Sequence, residues 1–592
     1  MKEKNTITIK LAIILSLGFL MQNHKTAAQA TLNWVHHLGS STFSDIDNCY
    51  QMKTDSDGNV YIVGTVDGVM DMDPGSGVHE LVSASTAPGV GSYNAYVAKY
   101  AADGTYLWAS MLSSNQSSFC RGIDLDADEN PIVIGSFGGS IDFDPSAGEH
   151  IAASLGSMDA FVGKYSKADG TMLWGFNYGN AGSDYSESIR SDHNGNFYIA
   201  GGFGLTVDFD PGPGVIGLTS VGCCDNQYFV KYDDDGNCVW AKILSTGSFA
   251  SDLWTWGRGI ELDAAGNIII LRNYYGTADF DPSDATFEMT MTPGSGGYAD
   301  IFLAKYTSDG DFIWAKSIGG TGTDEAYAVT SDAGGNIYVA GNFRETADMD
   351  PGDGELIFSA QDDTQDMFLS KFDGNGILVW SKYFGGELND DARAISVDPD
   401  GNIYFGGVYT ASVDFDPGSG SAILNSGFAE NLFVAVYNND GVFLNVSDFK
   451  SADASSEAML SDMYVMNDIL YVCGIFDATL DMDCTDEELI FTTFGNQDSF
   501  FGSYNVAEIV DGVSEDTPPA SFAIYPNPAS EVIQVISTPS FQSSTASTVK
   551  IFSAEGKLVL QTSLVPQLDI SSLPCGVYYL SIGDAYQKLV KQ

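Results

Sequence analysis

The sequence predicts an all-β chain: a seven-bladed β-propeller closed by its N-terminal strand, followed by a small C-terminal β-sandwich. Three observations predict this fold. A paired-aspartate element recurs seven times in 592 residues, strand-like segments keep one register around it, and the last unit lacks a strand that the N-terminus supplies. The composition agrees, because 65 glycines, 12% aromatic residues and only 18% charged residues favour short strands joined by tight turns.

The N-terminal segment is typical of an export signal. Lys2, Lys4 and Lys10 precede the apolar run at 11–21, and small residues follow in TAAQA. We assign residues 1–30 to a signal peptide and expect the exported chain to begin at Gln29 or Thr31. No cysteine follows the expected cut, and no later apolar run is long enough to span a bilayer, so we expect neither a lipoprotein anchor nor a membrane span.

The charge balance excludes one class of partner. The chain has 25 Lys and Arg against 79 Asp and Glu, a formal net charge of -54. Such a charge repels phosphate backbones and anionic membrane surfaces, so we expect no nucleic-acid partner.

The paired-aspartate element sets the repeat. It recurs at intervals of 66 to 71 residues, starting at Asp71, Asp142, Asp208, Asp279, Asp348, Asp414 and Asp481. A strand-like segment such as GNIYVAG precedes each copy, and a second such as DAFVGKY follows it. A DG or NG turn then leads into a strand that contains Trp in five units. Four strands in each unit of about 67 residues are typical of a propeller blade.

Ring closure can be predicted by counting strands. The seventh unit stops after DSFFGSYNV without its Trp strand, whereas the expected exported chain begins with the unmatched strand TLNWVHHLG, which carries Trp34. We therefore predict that this first strand completes the last blade, which removes the edges that an open array would expose. The propeller spans 31–506 and a polar, Pro-containing linker spans 507–521.

These segments resemble the SBBP-type bacterial β-propeller repeat. The resemblance depends on the DGNIYVAG-like and DAFVxKY-like segments with the Trp that follows, and it covers roughly the whole predicted propeller. It implies an architecture and no single activity.

The paired aspartates have two interpretations. In DFDPG the central Phe or Met and the two Asp point to opposite sides of an extended segment, and Pro-Gly suits a type II turn in which Asp accepts backbone N–H groups. The alternative is calcium, since carboxylates are hard oxygen ligands. We favour the turn, because an element repeated in every blade suits a scaffold. No cofactor is then required, and the candidate calcium ligands are Asp71, Asp73, Asp208, Asp210, Asp414 and Asp416.

A second register predicts a ligand site. The inter-blade connections and the paired-aspartate insertions open on one face, and we expect a partner there. Counting five residues back from the Asp expected to end each inner strand gives one large polar residue per blade, which we call the mouth set: Tyr50, Arg121, Glu187, Arg258, Tyr327, Arg393 and Glu457. This set could hold an anionic or sugar-like ligand. The simpler alternative is ion pairing between consecutive blades, among Arg121, Glu187 and Arg258 and between Arg393 and Glu457.

No catalytic constellation stands out, and we assign no catalytic residue. The five His after the signal have no metal-ligand spacing, and GxSxG, HExxH and phosphate-binding loops do not occur. Carboxylate pairs suited to glycoside hydrolysis stay open, because many acids are available.

The eight cysteines indicate one candidate disulfide. Cys49 and Cys120 each lie six residues before the Asp expected to end their inner strands, so they occupy equivalent places in adjacent blades. Unevenly placed cysteines argue against a disulfide framework as the main source of stability.

The tail has its own signature. From 522 to 592 the repeat ends, and strands separated by turns predict a small β-sandwich. It resembles the type A sorting domain of the type IX secretion system, on the residues Tyr525, Pro526, Asn527, Pro528, Gly576, Tyr578 and Leu580 and on the closing KLVKQ. The resemblance implies passage across the outer membrane of a Gram-negative bacterium by the type IX machinery, followed by release or attachment to the cell surface.

Together these features predict a secreted or cell-surface binding or adhesion module, whose partner could be a glycan or a surface protein. An extracellular glycan-active enzyme, a hydrolase or lyase, is the first alternative, and a purely structural surface protein is the second. A hydrolase requires acids of raised pKa in a cleft, whereas a binding module requires only polar and aromatic groups.

Overall fold

The structure is a computed structural model of the full chain. It describes residues 30–40, 46–83, 93–146, 148–221, 226–245, 259–292, 299–361, 364–451, 456–485 and 487–506, and in the tail 522–525, 532–537, 548–553, 557–563, 567–574, 576–582 and 585–591. These residues form strands and turns without an α-helix. The chain divides into two compact units, Met1–Val510 and Asp511–Gln592.

The described part of the first unit forms seven four-stranded antiparallel blades, numbered here in chain order. The inner strands are Asn48–Thr54, Ser118–Leu125, Tyr185–Ser191, Ile260–Leu262, Asp324–Ser331, Asp391–Val397 and Ala458–Met466. The second strands are Val60–Val66, Pro131–Phe137, Asn196–Phe203, Ile268–Tyr274, Ile337–Arg344, Ile403–Asp414 and Ile469–Phe476. The third strands are Asn94–Tyr100, Asp159–Tyr165, Asn226–Asp233, Asp300–Tyr306, Gln365–Phe372, Ile423–Tyr437 and Asp498–Asn505. The outer strands are Tyr106–Ser114, Met172–Tyr178, Cys238–Ser245, Phe312–Gly320, Leu378–Phe384, Phe443–Phe449 and, for blade 7, Thr31–Leu38.

A short hairpin connects the second and third strands of each blade. Its first arms are Val69–Asp71, Ser140–Asp142, Thr206–Asp208, Thr277–Asp279, Thr346–Asp348 and Thr479–Asp481. Its second arms are Glu80–Val82, Ile151–Ala153, Gly217–Thr219, Glu288–Thr290, Ile357–Ser359 and Ile490–Thr492. In blade 6 the second and third strands continue directly into the hairpin, where Asp414 pairs with Ile423. The hairpins and the connections between blades leave the ring on the same face, as predicted.

The hydrophobic core lies between blades. Along a second strand, alternate side chains point to the two neighbouring blades, so the strand is apolar on both faces. Val60 and Ile62 pack with Tyr471 of blade 7, whereas Tyr61 packs with Phe161 of blade 2. All seven residues of Val60–Val66 are buried for this reason, and each blade needs both neighbours to bury its core.

The Lys and Trp of the repeat join three of the described blades to the next one. In blade 1, Lys99 Nζ and Trp108 Nε1 both donate to the carbonyl of Lys167 in blade 2, each at 3.2 Å. Blades 4 and 5 repeat this pattern, with Gly374 and Asn439 as the respective acceptors. In these three blades the Lys and Trp of the repeat thus make the same inter-blade contact.

The N-terminal strand closes the ring as predicted. Thr31–Leu38 pairs antiparallel with Asp498–Asn505, and Trp34 lies opposite Ser503. The Trp34 ring packs edge-on against Phe501 at 5.7 Å, and its Nε1 donates to Ala102 of blade 1 at 2.8 Å. One strand therefore completes blade 7 and contacts blade 1.

The second unit contains two antiparallel sheets. One consists of Phe522–Tyr525, Val532–Ser537 and Gln567–Asp569, and the other of Leu558–Ser563, Thr548–Ser553, Gly576–Ile582 and Ala585–Lys591. Their buried apolar side chains include Ile551, Leu568 and Leu580.

Candidate binding site at the mouth of the central channel

One residue of the inner strand is bulged out of register in six of the blades described. A β-bulge changes the direction of a side chain. The register of the inner strand skips one residue in blades 1, 2, 3, 5 and 6, namely Tyr50, Arg121, Glu187, Tyr327 and Arg393. The mouth set is therefore a real structural register in these five blades. Arg258 lies outside the described residues.

The register predicted for blade 7 is wrong. Its bulge lies between Leu460 and Asp462, so Ser461, and not Glu457, is equivalent to Tyr50. In other blades the inner strand ends in an Asp such as Asp55, which accepts the backbone N–H of Asn59 at 2.9 Å. Blade 7 instead ends at Met466 and turns through Asn467 and Asp468, both with positive φ. Asp462 thus belongs to the strand interior, and counting from it shifted the position.

A cavity of about 800 Å³ lies where the inner strands begin, on the face that carries the hairpins. Four members of the mouth set line it: Tyr50, Arg121, Arg393 and Glu457. Glu187 and Tyr327 do not line it, so the structure brings together only part of the set. Tyr93, Phe119, Asp391 and Glu430 also line the cavity and were missed from the sequence. A Phe two residues before the bulged Arg in the same strand is the signal that could have identified Phe119.

One wall of this cavity is aromatic. The Arg121 guanidinium carbon lies 4.6 Å from the centre of the Tyr50 ring and 5.3 Å from that of Phe119. Tyr93 packs beside Phe119 at 5.6 Å. Stacking of a guanidinium between rings holds its donors in a fixed direction and leaves flat apolar surface beside them.

The cavity is also lined by acidic residues. Glu430 and Glu457 line it, and burial together with the charges of Glu457 and Asp391 raises the pKa of Glu430. Arg393 forms an ion pair with Asp391 and lies 4.2 Å from the centre of the Tyr327 ring in blade 5. Burial opposes the charge of Arg393, yet Asp391 holds its pKa above the ordinary value.

The described ion pairs differ from those predicted, and a pair with Arg258 lies outside the described residues. Glu187 pairs with Arg272 on the second strand of blade 4, and Arg393 pairs within its own strand. Pairing between blades is therefore present at Glu187, but its partner is not a member of the mouth set.

The paired aspartates act as turn acceptors in every hairpin. Asp208 Oδ1 accepts the N–H groups of Asp210 at 3.1 Å and Ile216 at 2.9 Å, while Asp210 Oδ1 accepts that of Gly212 at 2.7 Å. The same three bonds recur in blades 1, 2, 4, 5, 6 and 7. The central residue, Phe209 here, is buried, and its carbonyl accepts the Tyr232 hydroxyl at 2.9 Å.

Calcium at these hairpins stays a prediction. In the described part of the chain, no group of three or more His, Cys, Asp or Glu is placed to hold a metal ion. A calcium ion would have to use the carboxylate oxygens that the backbone leaves, because each Oδ1 of Asp71, Asp73, Asp414 and Asp416 already accepts N–H groups.

Cys49 and Cys120 do not form the disulfide considered above. Both are buried free thiols. Cys49 packs in the cluster between blades 7 and 1, whereas Cys120 packs in the cluster between blades 1 and 2. Equivalent positions in adjacent blades point into different inter-blade clusters, so equivalence in sequence does not bring the sulfurs together.

The predicted sorting residues occupy strand positions where they are described. Tyr525 ends the strand Phe522–Tyr525 and Gly576 begins Gly576–Ile582, while Pro526, Asn527 and Pro528 lie outside the described residues. Tyr578 and Leu580 are buried and pair with Leu589 and Gln587. The final two strands thus form the predicted terminal hairpin.

Comparison with known proteins identifies both parts of the chain. Residues 523–592 match the family model described as the secretion system C-terminal sorting domain, and residues 379–408 match the β-propeller repeat called SBBP. The chain carries a type IX secretion sorting domain and an SBBP propeller repeat. The sorting domain directs export by the type IX system to the cell surface or the extracellular space, as predicted. No helix among the described residues has the length and apolar character needed to cross a membrane.

Relatives of the whole chain are distant. It is 22% identical over 566 residues to an uncharacterized WD repeat-containing protein of Acanthamoeba polyphaga mimivirus, which covers 78% of this chain and 39% of that protein. It is 29% identical over 137 residues to the regulatory protein FlaEY of Caulobacter vibrioides, which covers 22% of this chain and 14% of that protein. The chain therefore spans well under half the length of these relatives.

Similar solved structures include quinohemoprotein alcohol dehydrogenase from Comamonas testosteroni, at 10% identity and a TM-score of 0.35, over 80% of this chain and 76% of that one. The WD40 domain of Pan2 from Neurospora crassa is 9% identical with a TM-score of 0.30, over 65% of this chain and 88% of that one.

Proposed function

We propose that the exported propeller is an extracellular binding module, and that its ligand enters the channel mouth on the hairpin face. One observation carries the proposal: a cavity of about 800 Å³ lined both by the stacked Tyr50, Arg121 and Phe119 and by Glu430 and Glu457. Volumes of this size suit small-molecule ligands or the end of a larger one.

A glycan is the ligand class that this arrangement fits best. Sugar rings present apolar faces that stack on aromatic side chains, and their hydroxyl groups pair with carboxylates and guanidinium donors. Tyr50 and Tyr93 supply the stacking surface, and Arg121, Glu430 and Glu457 supply the hydrogen-bonding groups.

The test is a glycan array probed with the full exported chain. We expect retention of a defined set of glycans, and loss of that retention in Tyr50→Ala and in Glu457→Gln at unchanged melting temperature. Asn194→Ala, at the opposite end of the channel, is the matched control and should bind as the native chain does. Equal binding by all three variants would contradict the proposed site.

A second candidate function is glycan cleavage. It is favoured by the raised pKa of Glu430 beside Glu457, since glycoside hydrolysis uses one protonated and one ionised carboxyl. Incubating every retained glycan with the protein and analysing its length separates the two functions, because a binding module returns the glycan intact and a hydrolase shortens it.

A further inference from the structure

Four blade junctions contain a pair of buried aspartates outside the channel mouth. One Asp is the first or second residue of the third strand of a blade. The other is the first residue of the next inner strand, or the residue directly before it. The pairs are Asp159 with Asp184, Asp300 with Asp324, Asp366 with Asp390, and Asp498 with Asp47. All eight are at most 1% exposed.

At each of these junctions the third-strand carboxylate lies against a glycine at the end of the outer strand of its blade or directly after it. The sequence shows why: Gly39, Gly179, Gly319 and Gly385 stand at this place, and a Cβ there would lie 2.3 to 2.8 Å from a carboxylate carbon. At Gly319 the two carboxylates of one junction converge, because a Cβ would lie 2.8 Å from Asp300 Cγ and 2.7 Å from Asp324 Oδ2.

The residue after this glycine determines how many hydrogen-bond donors surround the Asp at the start of the next inner strand. At the junction of blades 2 and 3 this residue is Asn180, which donates its backbone N–H to Asp184 at 2.8 Å and its side-chain amide at 3.1 Å. Gly204 donates a third bond at 3.2 Å. Both oxygens of Asp184 therefore have donors.

At the junctions of blades 4/5 and 5/6, glycine replaces that asparagine. Gly320 offers Asp324 only a backbone N–H, at 2.7 Å. Three carboxylate oxygens are buried without a hydrogen-bond donor: Oδ1 of Asp324, Oδ1 of Asp300 at the same junction, and Oδ2 of Asp390 at the other junction. A buried carboxylate oxygen without a donor is costly, and two adjacent carboxylates cannot both be ionised in a dry junction at low cost.

At the first junction, the charges that act on Asp324 most strongly among the described residues are those of other acids. The charges of Asp300, Glu325 and Glu345 face Asp324, and Tyr274 lies near Asp300. At the second junction, Asp366 and Asp391 face Asp390, while Tyr383 donates to Asp366 at 2.7 Å and the charge of Arg344 acts on Asp366. Burial is the largest influence at every one of these carboxyls. It raises the pKa of Asp300 to about 6 and of Asp390 to about 8, and that of Asp324 well above its ordinary value.

We propose that each of these two junctions holds one proton between its carboxyls, so that Asp324 or Asp300 donates an O–H to the other, as do Asp390 and Asp366. The folded ring is then most stable when both junctions are protonated, and its stability falls as the protons leave. At the blade 2/3 junction both oxygens of Asp184 already accept neutral amide donors, so that carboxylate needs no shared proton.

The direction of the pH effect follows from linkage. A carboxyl whose pKa is raised in the folded state is protonated there while the unfolded chain is already ionised, so stability falls as pH rises from the unfolded pKa through the folded one. His36 acts in the opposite direction, because burial lowers its pKa, but only below its unfolded value of about 6.5. Above about pH 6.5, buried carboxyls still titrate, including Asp47, whose pKa burial raises to about 7. Near the ordinary Cys pKa of about 8.5, buried thiols such as Cys120, whose pKa burial raises, lower stability in the same direction. The Asn variants below therefore isolate the two junctions.

The experiment measures the melting temperature of the full chain from about pH 6.5 to 9, with an infrared spectrum in D₂O at each pH. We expect the melting temperature to fall by several degrees, together with loss of the C=O stretch of protonated carboxyl groups. Asp324→Asn and Asp390→Asn should raise the melting temperature at pH 9 and flatten the profile, since an amide supplies the missing donor without a charge.

Asp184→Asn is the matched control at the amide junction. It should lower the melting temperature at every pH, because its new NH₂ group faces donors, and it should leave the slope unchanged. A flat or rising native profile, or a protonated carboxyl band that persists unchanged in the double variant, would overturn the proposal. So would a melting temperature that rises with CaCl₂ and is insensitive to pH, because a cation would then occupy the junction.

Discussion

At the scale of single residues, a tyrosine near the end of the third strand secures the hairpin in six of the seven blades described. Its hydroxyl donates to the carbonyl of the residue between the paired aspartates, as from Tyr306 to Phe280 at 2.9 Å and from Tyr437 to Phe415 at 2.8 Å. Both partners are buried. The Tyr of the KY segment and the centre of the paired-aspartate element are thus two ends of one contact.

Removing this hydroxyl tests the contact. Tyr306→Phe should lower the free energy of unfolding by about 1 kcal/mol, because a buried carbonyl loses its donor while the ring still fills its space. Urea denaturation of the full chain measures the change. Blade 5 provides the control, since Phe372 occupies this position naturally and Phe372→Leu removes no hydrogen bond there. An unchanged unfolding free energy for Tyr306→Phe would show that the hydroxyl does not contribute.

The channel mouth was only partly predictable at this scale. Counting back from a strand-terminal Asp located Tyr50, Arg121 and Arg393, because the Asp and the bulge keep a fixed spacing where the turn is conserved between blades. It failed in blade 7, where Asp462 lies inside a longer strand. Tyr93 and Glu430 come from other strands, and no spacing within one strand reports which residues a ring brings together.

At the scale of the element, aspartate carboxylates stabilise the hairpin by accepting backbone N–H groups in place of backbone carbonyls. Asp348 accepts from Asp350 and from Leu356, eight residues away, so one side chain sets the length of the loop. This recurring pattern, together with a Gly or Ser two residues after the second Asp in most blades, explains why the element repeats with so little variation.

Substituting the first aspartate should open one hairpin and leave its blade intact. In Asp348→Ala, amide exchange at Leu356 should accelerate roughly tenfold, as expected for loss of about one charge-assisted hydrogen bond. Asp348→Asn keeps an oxygen acceptor and should accelerate exchange less. Hydrogen exchange with peptide-level mass spectrometry reads both. Acceleration that appears in the native chain on adding EGTA would instead favour calcium as the group that holds the hairpin.

The closing strand is a second element whose role can be tested. Trp34→Ala removes the edge contact with Phe501 and the bond to Ala102, and we expect a loss of up to about 3 kcal/mol in the free energy of unfolding. The loss should be accompanied by faster hydrogen exchange in Asp498–Asn505. Leu173→Ala, at an exposed outer-strand position of blade 2, is the control and should change neither.

At the scale of the whole molecule, the ring could be predicted from three features that can be counted in the sequence. These are the period of the repeat, its seven copies, and a strand that the last copy lacks and the N-terminus supplies. The buried aspartate pairs at the junctions could not be predicted, since Asp300 or Asp366 in a DxFL segment looks like the start of any strand. Only ring geometry places Asp324 and Asp390 beside them.

Export provides a prediction for the complete chain. Deleting 523–592 removes the matched sorting domain and leaves the separate unit Met1–Val510, so the propeller should fold but remain inside the outer membrane. Cell fractionation with an antibody to the propeller measures this. The Asn194→Ala chain should be exported normally. Appearance of the truncated propeller in the medium at the native level would contradict the assignment of the address to the tail.

The charge of the molecule gives the last prediction. A formal net charge of -54 over 592 residues means that folding gathers many like charges into one compact ring, and this repulsion opposes the folded state. Salt shortens the distance over which exposed charges interact, from about 30 Å at 0.01 M to about 3 Å at 1 M. The melting temperature should therefore rise on adding NaCl, steeply at low concentration and then little.

Buried carboxyl pairs are screened far less, so the Asp324→Asn and Asp390→Asn chains should show the same salt response as the native chain. A melting temperature that falls with NaCl would show that attractive ion pairs, such as Lys99 with Asp55 at 3.0 Å, outweigh the net repulsion.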